Sequence, residues 1–308
     1  MKYRELGKTG WKVSVLGYGG SALGDAFGGV AEKEGIRSVR AALDLGINFF
    51  DVSPDLKSAK AEVLLGKALR GVHRHKFYLA TKLGRYGPGE KDFDFSASRV
   101  TRSVDESLKH LGVAHIDLIQ CQDIEFASLD QLVDETIPAL QKLKQQGKVQ
   151  KIGVTALPLK VFKRLLDRSR VDAILSYCHY CLNDITLVQM FPYFKAKGIG
   201  IINASPFAMG LLTEKGPPKW HPAPAAIRDA CARAVAYCKK KKANIARLAL
   251  QFAVANKDIA TTLVGTASSK KIKQNARWLE ERLDMELLAE VQEILAPIRN
   301  KSWASGQS

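Results

Sequence analysis

The amino-acid sequence predicts a closed (β/α)8 barrel of the TIM type that occupies residues 1–308 as a single domain. Three observations carry this. Eight short apolar runs have strand character, amphipathic helical runs lie between them, and no Pro/Ser-rich linker interrupts the alternation. A chain of 308 residues is long for an ordinary domain but normal for such a barrel. With 46% hydrophobic and 25% charged residues, it can build a large core and does not have the composition of a disordered chain.

The strand runs are Val13–Leu16, Asn48–Val52, Phe77–Lys82, Ile116–Cys121, Lys151–Thr155, Ala173–Tyr177, Gly200–Asn203 and Thr261–Val264. Most are continuously apolar, as befits strands of a parallel sheet buried on both faces. Between them, Glu32–Leu45 sets Ile36, Val39, Arg40 and Leu43 three or four apart, with Gly46 as the stop signal. Ala97–Leu111 lines up Val100, Val104, Leu108 and Leu111, and Leu132–Gln146, Lys160–Asp167 and Leu187–Lys197 follow the same scheme. A helix after nearly every strand closes the sheet into a barrel. The longest departure, the proline-rich Gly216–Ala225, follows the seventh strand and so belongs at the C-terminal mouth, where barrel ligands bind. Helical runs at Ala226–Lys241 and Ile245–Ala255 precede the last strand, and Met285–Ile298 ends the fold.

Composition excludes several classes of function. No apolar run approaches the roughly 20 residues of a membrane span, so no membrane partner is expected. The start, MKYRELGKTG, has no apolar signal segment, which gives the expectation of a cytoplasmic protein. The cysteines (Cys121, Cys178, Cys181, Cys231, Cys238) are odd in number and show no disulfide framework, so they read as reduced thiols. The net charge of +16 is spread over helix faces, as in Lys239–Lys242 or Lys163, Arg164 and Arg168. There is no helix-turn-helix pattern and no basic stripe interleaved with aromatics, so no nucleic-acid partner is expected. An anionic small ligand is the one functional use that charge invites.

Barrel chemistry sits just past the C-terminal ends of the strands. The second strand ends in Asp51-Val52-Ser53-Pro54, the third in Ala80-Thr81-Lys82, and the fourth in Gln120-Cys121-Gln122-Asp123. Asp51 and Lys82, projecting from adjacent strands, would meet as a buried pair. Such a pair is costly to desolvate, so it points to a purpose or a history.

The run Gly46-Ile47-Asn48-Phe49-Phe50-Asp51, and Arg102 to Leu108 through Ile116-Asp117-Leu118, resemble the signatures of the aldo-keto reductase family. Asp123–Phe126, Ile137–Lys144, Ser176–Tyr180 and Met209–Glu214 are similar to the plant L-galactose dehydrogenases within it. The resemblance implies an NAD(P)-dependent oxidoreductase acting on a small carbonyl or polyol substrate. It also implies a catalytic tetrad of Asp, Tyr, Lys and His, in which Tyr moves the proton, Lys lowers its pKa, Asp holds Lys, and His orients the substrate. Asp51 and Lys82 match. Leu56 stands at the Tyr position and Gln122 at the His position, so this tetrad is degenerate. Leucine donates no proton, and an amide does not titrate near neutral pH. Two family glycines are replaced by Lys57 and Ser58.

The same resemblance places the nicotinamide near Gly19, Gly20, Thr155 and Ser176 or Tyr177, and the pyrophosphate near Ser205, Phe207, Met209, Gly210 and Leu211. The adenosine end falls on Gly265, Ser268, Lys270, Lys271, Gln274 and Asn275, at the start of a helix suited to phosphate. Lys271 stands where NADP-using relatives carry Arg, which favours NADP over NAD. His179, between Cys178 and Cys181, reads as a pocket wall and not as a metal ligand.

Three functions follow as alternatives. The first is an oxidoreductase whose proton comes from Tyr177, Tyr180, His179 or a water held by Lys82 and Gln122. The second is a non-redox enzyme using Lys82 and Asp51 as base or amine nucleophile on a carbonyl. The third is an NADP(H)-binding pseudoenzyme.

Overall fold

The computed structural model of the chain describes residues 1–24, 29–54 and 59–306. The N-terminus folds first into a hairpin, in which β1 (Tyr3–Glu5) pairs antiparallel with β2 (Lys12–Ser14). Leu6, Trp11 and Val13 of this hairpin pack with Phe49, Leu118 and Leu175 and plug one end of the barrel. The Trp11 ring stacks on Tyr78 at 4.9 Å. The expected strand Val13–Leu16 is therefore two elements. Its first half belongs to the hairpin, and the barrel begins only at β3 (Leu16–Gly19). Ser14 makes the break, its N–H donating to Asn48 Oδ1 (2.7 Å) and its hydroxyl to the Leu16 carbonyl (2.7 Å). An apolar run gives no sign of such an interruption.

The remaining wall strands are β4 (Phe49–Asp51), β5 (Tyr78–Leu83), β6 (Ile116–Cys121), β7 (Val149–Ala156), β8 (Ala173–Tyr177), β9 (Gly200–Ala204) and β10 (Thr261–Gly265). They follow β3 in sequence order, and β10 closes the barrel against β3. Every neighbouring pair is parallel. Side chains alternate between the two faces of each strand. Phe49, Ala80, Leu118, Leu175 and Ile202 fill the lumen, while Phe50, Leu79, Ile119, Ile174 and Ile201 face the helices. This alternation decides which residues at the strand ends look into the mouth.

The outer layer is α1 (Glu32–Asp44), α2 (Lys60–Leu69), α3 (Ala97–Leu111), α4 (Leu129–Gln131), α5 (Ile137–Gln145), α6 (Leu159–Leu166), α7 (Phe191–Lys197), α8 (Ala225–Lys240), α9 (Ile245–Ala255), α10 (Ser269–Trp278) and α11 (Met285–Leu295). A π-helical turn, Leu132–Thr136, joins α4 to α5. The signals in α3 are complete: Ser96 caps its start by accepting from the Arg99 N–H, Lys109 and His110 sit in the last turn, and Gly112 leaves it at φ 66°. Helix α2 has no counterpart among the expected helices. The expected helix Leu187–Lys197 is a 3-10 turn, Thr186–Met190, followed by α7, where Pro192 begins a new helix because it lacks an N–H. A second apolar cluster joins α8, α9 and α11 to the loop after β9. All five cysteines are buried free thiols, and no helix among the described residues is long and apolar enough to cross a membrane.

Candidate active site

Asp51 ends β4 two residues after Phe49, Lys82 lies on β5 two after Ala80, and Gln120 lies on β6 two after Leu118, so all three share the luminal face. Lys82 Nζ donates to Asp51 Oδ1 and, at 3.1 Å, to the Val52 carbonyl. Asp51 Oδ2 accepts from Gln120 Nε2 at 2.6 Å. The expected Asp51–Lys82 pair is thus formed, with side chains only 5% and 9% exposed. Gln120 was missed, although the luminal repeat Leu118, Gln120, Gln122 was there to mark it. The half-buried Gln122 continues the strand pattern, its N–H donating to the Leu83 carbonyl at 2.8 Å. Its side-chain amide has no partner among the described residues. Leu56, with Asp55, Lys57 and Ser58, lies outside the described residues.

A second polar group forms across the ends of β6, β7 and β8. Asp123 adopts left-handed backbone (φ 52°) and accepts from Arg85 (3.0 Å), from the Thr155 hydroxyl (3.3 Å) and from the Tyr177 hydroxyl (3.3 Å). Its own N–H donates to Thr155 Oγ1 at 2.9 Å. Burial raises the Asp123 carboxyl above its ordinary range, against the pull of Arg85. Tyr177 is pushed far above a free phenol by burial and then by the Asp123 and Glu125 carboxylates, so its hydroxyl holds its proton. Of the three side chains named as replacement donors, Tyr177 is the one in the luminal cluster. Tyr180 stacks on Phe252 of α9 at 5.3 Å, outside the barrel wall. His179 turns Nδ1 toward Asp184 (3.1 Å) and Thr186 (2.8 Å), which hold it within its own loop. The neighbouring Cys181 thiol donates to the Cys178 carbonyl, and no metal-holding cluster exists among the described residues.

The C-terminal segment straps this mouth. The Asn300 N–H donates to the Asn183 carbonyl (2.9 Å), Asn300 Oδ1 accepts from the Ile185 N–H (3.0 Å), and Trp303 meets His221 edge-on at 5.0 Å. Ser305 then donates to Glu125 Oε1 at 2.8 Å. These partners lie in the loops after β8, β9 and β6, so the strap crosses the C-terminal end of the barrel. Glu125 is 3% exposed and its Oε2 has no partner. Burial, then repulsion from Asp123, pushes its carboxyl up to about 7. A raised acid favours the protonated form in the folded chain, so its contribution is full below the free value of 4.5 and is lost as pH rises to about 7, although the Ser305 bond itself pulls the other way. The protection factor of residues 300–306, corrected for intrinsic base-catalysed exchange, is expected to fall between pH 5 and pH 7.5, and Glu125→Gln to flatten that profile. An equally steep profile in the variant contradicts this.

The cofactor wall begins where β3 meets β10. A Cβ on Gly19 would stand 3.1 Å from Gly265 Cα, and one on Gly20 would stand 3.1 Å from the Asp51 carbonyl, so glycine lets the first loop lie this close to the Asp51–Lys82 pair without a neighbour having to give way. Ser205 (φ 57°), Ala208 (φ 46°) and Met209 (φ 52°) hold left-handed backbone next to Gly210. Each costs about 1–3 kcal/mol, a strain that clusters where a loop is shaped for a ligand. His221 pins this loop, its Nε2–H donating to the Ala208 carbonyl at 3.1 Å while Nδ1 accepts from the Ala223 N–H. Phe207 and Leu211 anchor it on the second apolar cluster. Glycine approach and strained loop together fit a nicotinamide dinucleotide. Ser176 does not join them. Lying between luminal Leu175 and Tyr177, it turns to the helix side, where its buried hydroxyl has no partner. Tyr177 takes the luminal place instead.

At the adenosine end Ser268 caps α10 by accepting from the Lys271 N–H at 3.4 Å. Lys270 and Lys271 are exposed, Gln274 is half-buried and Asn275 is buried. No motif or spacing marks Glu34, which reaches across from α1. Its Oε1 accepts from the Ser269 N–H (2.7 Å) and hydroxyl (2.8 Å). Those two bonds, with help from Arg37, hold Glu34 below its ordinary pKa. A carboxylate therefore already sits on the first amide of the helix assigned to phosphate.

The aldo/keto reductase family model matches residues 15–296. The L-galactose dehydrogenase of Arabidopsis thaliana is 51% identical over 99% of this chain and 98% of its own length. The D-threo-aldose 1-dehydrogenase of a Pseudomonas species is 26% identical over 92% of this chain and 95% of its own. Among solved structures, aldo-keto reductase AKR11C1 from Bacillus halodurans, in its holo form, superposes with a TM-score of 0.81 at 28% identity, each chain covered in full. With its closed parallel barrel and its Asp51–Lys82 pair at the mouth, the chain belongs to the aldo/keto reductase family of oxidoreductases.

Proposed function

We propose that this protein is an NAD-linked oxidoreductase of an aldose-type polyol, in which the proton step runs without the family's tyrosine. The observation that carries the reading is the Asp51–Lys82–Gln120 chain, kept intact beside a loop system that fits the dinucleotide. The aldose class rests on the two sugar dehydrogenases to which the chain is similar. The cofactor, when bound, supplies the hydride acceptor or donor. Lys82 has three N–H groups and spends two of them, on Asp51 and Val52, which leaves one to polarise the substrate oxygen. The neutral Gln122 amide can orient that oxygen but takes no proton from it, so the proton passes to water in the mouth. Lacking a general acid–base costs about 10²–10⁴ in rate, so turnover is slow.

The amine-nucleophile alternative is opposed by the same geometry, because an Nζ tied to a carboxylate and a carbonyl is held as a donor and not presented to a carbonyl carbon. Glu34 weighs for NAD, since a 2′-phosphate on α10 would meet its charge at Ser269, whereas exposed Lys270 and Lys271 offer only screened attraction. Titration followed by nicotinamide fluorescence is expected to show NADH binding more tightly than NADPH. Glu34→Gln should narrow that preference about two- to tenfold, the scale of one charge near a helix terminus. Binding of neither nucleotide would overturn the functional reading, and tighter NADPH binding would overturn the choice of NAD.

A further inference from the structure

We propose that Gln120 is a positioning residue, which locks the Asp51 carboxylate and through it fixes the Lys82 Nζ at the mouth. This rests on reading Lys82 as the cation of the site. Gln120 is fully buried, and its Nε2 meets Asp51 Oδ2 at 2.6 Å while Lys82 takes Oδ1. Its carbonyl oxygen, Oε1, is buried with no partner among the described residues. An unmet buried acceptor is costly, and an apolar side chain of the same shape would avoid that cost. Turning the amide over does not help, because Oε1 would then face a carboxylate. Among the described residues, Asp51 alone holds the amide in its costly orientation.

The wall behind it is built to match. A Cβ on Gly153 would stand 3.2 Å from both Gln120 Cγ and Leu118 Cδ1, tighter than ordinary contact, so the next strand leaves room for this side chain. Without Gln120, one oxygen of a buried carboxylate would lack a donor. The carboxylate would then turn to share both oxygens with Lys82, and that turn moves Nζ and loosens its place at the mouth. The strand register places Gln120 directly beside Lys82, so the effect is local.

The proposal is tested by trace acetylation with acetic anhydride at pH 8 to 10, with Lys82 modification read by peptide mass spectrometry against the surface lysines. Lys82 of the natural chain is expected to label slowly. Gln120→Met, shown to be folded by circular dichroism and melting temperature, should label Lys82 several-fold faster while the surface lysines stay unchanged. Asp51→Asn should do at least as much, and adding Gln120→Met to Asp51→Asn should change nothing more, because one path carries both effects. If Gln120→Met does not accumulate, Gln120→Asn, which keeps the polarity but withdraws the amide, carries the same expectation. Unchanged labelling in a folded Gln120 variant overturns the proposal. So does a further increase in the Asp51→Asn background, since that is the mark of mere loosening. Neither readout depends on hydride transfer, so failure here and failure of the functional reading remain separable.

Discussion

Leu56→Tyr combined with Gln122→His is expected to raise the rate of NAD-linked aldose oxidation by about 10²–10⁴-fold, the contribution of a placed general acid–base. The groundwork is present, because Lys82 is already an oriented ammonium beside Asp51 and would stabilise a tyrosinate. The histidine would then supply a titrating partner where Gln122 offers only an amide. Each single change should give far less than the pair, since the two groups act on one proton. Steady-state nicotinamide absorbance measures it. No gain from the double variant, with NADH binding intact, would mean that the substituted segment Asp55–Ser58 no longer presents residue 56 to the site.

The second large effect concerns stability. Asp51→Ala is expected to cost about 3–5 kcal/mol, because it leaves the Lys82 ammonium buried and unpaired. It also takes the acceptor from the Gln120 amide. Replacing both charges, as in Asp51→Leu with Lys82→Met, should recover most of that loss, since well-packed apolar pairs of similar volume are often neutral or better. Urea unfolding of the two variants beside the natural chain gives the comparison. A double variant as unstable as the single one would show that shape at this level of the barrel, and not charge, governs the cost.

The barrel was legible because its strands are apolar and its helices periodic, and the mouth was legible because strand ends are where barrel chemistry lies. The Asp51–Lys82 pair followed from that rule. What escaped has physical reasons. The break at Ser14 is made by side-chain hydrogen bonds inside an apolar run, which hydrophobicity does not register. Ser176 was placed in the site by motif, but the alternation of β8 turns it outward and Tyr177 inward. Glu34 meets Ser269 and Ser305 meets Glu125 across sequence separations that only the folded chain closes. Gln120 could have been found by counting back two residues from Gln122 along a strand with a period of two.

The central claim is that hydride chemistry survives the loss of the usual proton donor. The most direct test is a single-turnover experiment with saturating NAD and an aldose carrying deuterium at C1, following nicotinamide absorbance. A slow phase of NADH formation, slowed further by deuterium and abolished by Lys82→Met, is the expected result. Bound NAD with no NADH formed from any aldose would contradict it, and would leave a barrel that holds the cofactor without using it.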